Sequence, residues 1–240
     1  MYPLLICLIV LSSMITLKSQ NVQDNSWDRF VFEIIWTPSV CNHSVKCNPP
    51  EGFDHFTIVG LWPVTSSGSR PKCTTIVNFN MSEIEDLRGE LLTYWPYYRD
   101  VKTSENKWRI EYEINGPCAI EGPIILSERD YFSYSIAQLK NMDILKTLWS
   151  HGIMSSDTIP QNKTSFQNAL ELEYKVNVTL MCTRSSDQAK KKSLERIVIC
   201  LTRDFTFTQC PPGLGGQPVE CPPQFMFPAY EQLTQLSTSV

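Results

Sequence analysis

Histidine is scarce in this sequence: three stand among 240 residues, at His43, His55 and His151. Chemistry that needs a pair of side chains titrating near neutrality has few candidates here. A basic excess is missing too, with 21 Lys and Arg against 25 Asp and Glu. Proteins that grip polyphosphate usually carry a basic stripe. The one dense cluster, Lys190 to Lys192, lies between two strand-like runs and reads as a solvated hairpin loop. No C-x-x-C pair occurs, and His43 alone lies near a cysteine, which argues against zinc. Internal repeats and low-complexity tracts are lacking. Beyond the first twenty residues no stretch is long and apolar enough to cross a bilayer.

What is present points to the secretory pathway. Residues 1–20 hold an apolar run from Pro3 to Leu17 that ends at Lys18. It reads as a signal peptide cleaved near Ser19 or Gln20, although a positive start and an A-x-A site are lacking. An uncleaved anchor is the alternative. Removing Cys7 with the signal leaves eight cysteines, an even number suited to an oxidised domain. Sequons at Asn42, Asn80, Asn162 and Asn177 add glycosylated surface positions. The expected organisation is a signal at 1–20 and a single domain over 21–240. With 42% hydrophobic and 19% charged residues, the composition is that of a globular protein.

Periodicity and punctuation predict the elements. "RFVFEIIW" (29–36) and "FTIVGLW" (56–62) read as buried strands, the first followed by a turn at "PSVC" and the second closed by Pro63. Ser82 and Glu85 suggest a capping box opening a helix that runs to Trp95. "NKWRIEYEIN", "SERDYFSYSIAQLK" and "MDILKTLWSHG" read as helices, the last stopped by Gly152. Thr164 and Gln167 suggest the cap of another over "FQNALELEY". Two strands follow, "YKVNVTLMC" and "LERIVICLT". The Pro/Gly-rich tail from about 211 is expected to be irregular. Strands flanking a helical middle give an α+β domain.

Two stretches carry a family resemblance. "FTIVGLWP" resembles the first signature of the ribonuclease T2 family, which runs aromatic, Thr, Ile, His, Gly, Leu, Trp, Pro. "WRIEYEINGPC" resembles the second, W-x-H-E-W-x-K-H-G-T-C. "IIWTPSVC" is similar to the family's "QQWPxxYC", and "YWP" at Tyr94 to Pro96 recurs there. Coverage is about Arg29 to Cys221, and plant S-type and S-like ribonucleases look most similar. The resemblance implies a central antiparallel sheet with flanking helices and four disulfides: Cys41 with Cys47, Cys73 with Cys118, Cys182 with Cys221, and Cys200 with Cys210.

These enzymes, by the same resemblance, cleave RNA without metal or cofactor, moving the ribose 2′-OH onto the adjacent phosphate. One histidine takes the 2′-OH proton and another protonates the leaving oxygen, while a third histidine, a glutamate and a lysine neutralise the phosphate. Carried over, the histidine of the first signature falls on Val59. In the second, the first histidine falls on Ile110, the glutamate on Glu111, the lysine on Ile114 and the last histidine on Asn115. Glu111 is thus retained, and its ordinary reading is a leftover exposed carboxylate. The paired glutamines have become Ile34 and Ile35. Trp36, Trp62, Trp95 and Trp108 read as core aromatics. A closing possibility is that Val59, Ile110 and Ile114 line a small apolar pocket beside Asn115.

The expectation is a secreted or vacuolar glycoprotein of this fold that has lost catalysis, with a storage role as one outlet. An S-type recognition protein that binds a protein partner is an alternative. A residual endoribonuclease leaving 2′,3′-cyclic ends is another. No cofactor, no metal, no membrane contact after signal removal, weak RNA binding at most and a monomeric state are expected.

Overall fold

The computed structural model describes residues 27–41, 47, 53–183, 192–212, 214 and 219–229. The signal peptide, Asn42, His43 and Lys190 and Lys191 of the basic cluster lie outside them.

The chain forms strand β1 (Arg29–Ile35), helix α1 (Thr37–Cys41) and strand β2 (Thr57–Val64). Helices α2 (Arg88–Tyr94), α3 (Ser104–Ala119), α4 (Glu128–Met142) and α5 (Ile144–Ser150) follow. Next come β3 (Ser156–Asn162), α6 (Lys163–Tyr174), β4 (Thr179–Cys182), β5 (Leu194–Thr202), β6 (Phe207–Thr208) and β7 (Gln224–Phe227). An antiparallel sheet in the order β2-β1-β5-β4, with β6 added to β5, carries the domain. The fold is the α+β architecture expected.

β1 is central and covered on both faces. Phe30, Phe32 and Ile34 face the main core with Ile197, Ile199 and Leu201 of β5. Val31 turns the other way, into a smaller cluster with Val64, Val198 and Cys200. Strict alternation explains this split, because successive side chains leave a strand on opposite faces. β2 breaks the alternation. Its register with β1 shifts between Glu33 and Ile34, so that Gly60 opposes Glu33 and Ile58 opposes Ile34. Val59 is therefore the extra residue of a β-bulge, which is why Ile58 and Leu61, an odd number apart, both reach the main core.

The helices cover that core through apolar stripes. Trp108 and Tyr112, one turn apart on α3, are both buried, as are Tyr131, Phe132, Ile136 and Leu139 of α4. Polar ends are satisfied inside: the Trp108 indole donates to Trp95 O at 2.7 Å and the Tyr131 hydroxyl to Leu61 O at 2.8 Å. Four disulfides join Cys41–Cys47, Cys73–Cys118, Cys182–Cys221 and Cys200–Cys210. All eight cysteines of the expected mature chain are thereby used, and none is left as a thiolate for zinc.

Several local expectations need correction. "PSVC" belongs to helix α1 rather than a turn. Ser82 and Glu85 form no capping box, because Asn80 takes the cap: its side chain accepts from Ser82 N at 3.2 Å and Ser82 Oγ at 2.7 Å. Two short 3₁₀ turns then precede α2. α6 is capped by Asn162, which accepts from Ser165 N at 2.9 Å, and Gln167 instead donates to Val178 O. The tail is not irregular throughout. β7 pairs with β3 and buries Phe225 and Phe227, so aromatic burial overrides the proline-rich flanks.

Candidate active site

The positions matching the two signatures meet where α3 packs on β2. Val59 sits at the bulge, its carbonyl freed from regular pairing. The buried Trp95 indole accounts for that carbonyl, donating to Val59 O at 3.3 Å. Trp95 belongs to the "YWP" stretch, so this tryptophan, read as core, also fixes the bulge.

Glu111 projects from α3 toward β2. Its Oε1 accepts a hydrogen bond from the Trp62 indole and another from Asn115 Nδ2 at 3.0 Å. The same amide also donates to the Glu111 carbonyl at 3.0 Å. The expectation of an exposed leftover fails: Glu111 is partly buried in a polar nest formed with the Trp62 indole N–H and Asn115. Burial pushes its carboxyl up to about 7; the Trp62 bond and the positive charge of Arg70 pull in the other direction. Gly60 makes the contact possible. A Cβ there would fall on both Trp62 Nε1 and Glu111 Oε1, so the glycine of "IVGLW" admits a close approach.

The other two α3 positions face outward. Ile110 and Ile114 are 41% and 46% exposed, whereas Asn115 is 4% exposed. Two of the three aliphatic residues at the signature positions therefore meet solvent. Ile34 and Ile35 are both fully buried in β1.

Beside the nest lies an ion pair that sequence reasoning missed. Glu33, 5% exposed, accepts from Arg196 of β5, which also donates to Glu195 at 3.1 Å. Burial raises the Glu33 carboxyl and Arg196 opposes it. The signal was a lone acid inside the apolar run "RFVFEIIW". A charge in a central strand demands a partner.

Neither described histidine joins this group. His55 precedes β2, with Nε2 at 3.0 Å from Thr93 O and Nδ1 at 3.5 Å from Asp54. It lines a separate cavity of about 340 Å³ with Phe56, Tyr94, Lys140 and Asp143. His151 ends α5, its Nδ1 at 2.9 Å from Thr147 O. Of the sequons, Asn80, Asn162 and Asn177 are exposed.

A disulfide-tied antiparallel sheet with flanking helices, its bulged strand meeting a helix-borne glutamate, has the ribonuclease T2 class of fold. The profile described as the Ribonuclease T2 family matches residues 27–210, and the chain belongs to that family. Pig ribonuclease T2 (Sus scrofa) is 32% identical over 193 residues, covering 79% of this chain and 92% of that protein. Ribonuclease Oy of Magallana gigas is 29% identical over 187 residues, covering 77% and 87%. Among solved structures, ribonuclease MC1 from bitter gourd seeds has a TM-score of 0.69 at 26% identity, covering 84% of this chain and all of its own. Human RNase T2 has a TM-score of 0.69 at 27% identity, covering 85% and 98%. These relatives come from two mammals, a mollusc and a plant, so the similarity is to the family at large.

Proposed function

We propose that this chain is a secreted or vacuolar glycoprotein on the ribonuclease T2 scaffold that no longer cleaves RNA. The carrying observation is the site itself. Val59, Ile110 and Asn115 stand at the positions that the family signatures give to histidine, and the retained Glu111 is engaged by Trp62 and Asn115. Valine and isoleucine exchange no proton, and an amide cannot do so near neutrality. Acid and base groups each contribute on the order of 10²–10⁴ in rate, so losing both removes several powers of ten even without additivity. Ile110 and Ile114 also put apolar surface where phosphate charge would have to be matched, which disfavours RNA.

Four disulfides support an oxidising compartment. A storage role fits a scaffold kept without its chemistry, and abundance in a storage tissue tests it. One observation favours a partner-binding reading beside it: the exposed Ile110 and Ile114 on one face of α3.

Cleavage of a fluorogenic single-stranded RNA across pH 4–8 tests the central reading. The wild-type protein is expected to be inactive. The variant Val59→His, Ile110→His, Ile114→Lys, Asn115→His is expected to gain at least about 10² over it. Clear wild-type cleavage, abolished by Glu111→Ala, would overturn the proposal.

A further inference from the structure

We infer that Asn162 carries an N-linked glycan whose inner sugars cover the exposed apolar turn beside it, while the asparagine keeps its structural job as the cap of α6. The inference rests on entry into the secretory pathway.

The side chain is set up for both tasks. Asn162 is the last residue of β3 and the N-cap of α6, with extended backbone (φ −80°, ψ 126°). Its Oδ1 accepts from Ser165 N at 2.9 Å, which fixes the plane of the carboxamide. No hydrogen bond engages Nδ2 among the described residues, and both Asn162 and the sequon threonine, Thr164, are exposed. Capping uses the oxygen and glycosylation uses the nitrogen, so one does not displace the other. In the transfer step Nδ2 attacks the anomeric carbon of a lipid-pyrophosphate-linked oligosaccharide. The new C–N bond forms as the C–O bond to the pyrophosphate breaks, the lipid pyrophosphate leaves, and the amide loses one proton.

The surroundings supply the reason for a cover. Register between β3 and β7 shifts between Ser156 and Gln161, so the residues between them bow out of the ladder. Ile159 is in that bow and is 64% exposed; Ser156 Oγ accepts from its amide at 3.0 Å. Met154, also 64% exposed, is tied to the same turn by a bond from Gln161 Nε2 to Met154 O at 3.1 Å. Two large apolar side chains are thus held in solvent on a pinned turn immediately before the sequon. Two such groups on one turn beside a sequon offer apolar surface that an attached glycan can cover. Sugar rings present C–H faces suited to that, and here they would be covalently delivered.

Protein secreted from a eukaryotic host decides the matter by glycopeptide mass spectrometry and binding of the dye ANS. Asn162→Asp removes the glycan but keeps an oxygen cap, so the fold is preserved; Thr164→Ala removes it with Asn162 intact. A glycan is expected at Asn162, and both variants should bind ANS at least about twofold more strongly than the glycosylated protein. Adding Met154→Ser and Ile159→Ser should abolish that rise. A protein glycosylated at Asn80 or Asn177 but bare at Asn162 would overturn this inference alone. Bare asparagines at every sequon would overturn this inference together with the glycoprotein part of the proposed function. A glycan at Asn162 whose loss leaves ANS binding unchanged would refute the covering role.

Discussion

The buried glutamates make a pH test of the site. Glu111 has its carboxyl pushed from the usual 4.5 to about 7, chiefly by burial. Glu128, 6% exposed at the start of α4, is also pushed up to about 7 by burial; one oxygen accepts from Asn80 N at 2.9 Å and the other has no partner among the described residues. In each case the folded protein holds its proton more tightly than the unfolded chain does. Between about pH 4.5 and 7 the folded state therefore binds the extra protons, and stability falls as pH rises. The contribution is fully present below the unfolded pKa and lost once pH passes the folded one. Each pKa unit is worth about 1.4 kcal/mol, so ionising Glu111 in place costs at most about 3.5 kcal/mol.

Glu111→Gln isolates this term. The amide oxygen can still accept from Trp62 and Asn115, but the group no longer ionises. Urea unfolding followed by tryptophan fluorescence at pH 5, 6 and 7 should show wild-type stability declining, with the variant losing about one proton's worth of the slope, on the order of 1 kcal/mol per pH unit. The carboxylates held down by arginine partners, Glu85 by Arg88 and Asp86 by Arg129, act in the opposite sense and only as pH falls below the ordinary carboxylate range. They leave the window clear. A wild-type stability that is flat or rising from pH 5 to 7, or a variant with the wild-type slope, would refute the burial of Glu111 as described.

Two substitutions test the scaffold around the nest. Gly60→Ala places a methyl group against Trp62 Nε1 and Glu111 Oε1 and is expected to lower stability by about 1–3 kcal/mol, as overpacking does; an unchanged urea midpoint would mean that the pair moves freely. Phe225→Ala removes a ring that is 1% exposed and packed against Phe166, and a loss of about 3–5 kcal/mol is expected, whereas a loss below ~1 kcal/mol would show that β7 is not part of the core.

Periodicity made the main elements legible, because β1, α3 and α4 each bury a regular set of apolar residues that a short window reveals. Caps were misread for a definite reason. Asn80 and Asn162 each stand two residues before the Ser or Thr that the capping-box pattern singled out, and asparagine caps as well as serine does. β3 escaped notice because its exposed residues do not alternate and its register with β7 is broken. At the site, the motifs located Val59, Ile110, Glu111, Ile114 and Asn115. They were silent on the state of Glu111, since Trp62, whose indole bonds to it, stands 49 residues away in sequence and is brought there by the packing of α3 on β2.

That packing also explains how the scaffold accommodates the residues found at Val59, Ile110, Ile114 and Asn115. The bulge at Val59 is fixed through its backbone, by register with β1 and by the Trp95 indole, so the side chain at that position is free to vary. Ile110 and Ile114 lie on the outer face of α3 and contribute little to its docking, which Trp108 and Tyr112 secure from the opposite side. Asn115 differs: it is buried, and its position requires a donor toward Glu111. Asparagine supplies that donor. Val59, Ile110 and Asn115 thus each meet the demands of the fold at their places, and the Glu111 carboxyl supplies the acceptor that the half-buried Trp62 indole uses.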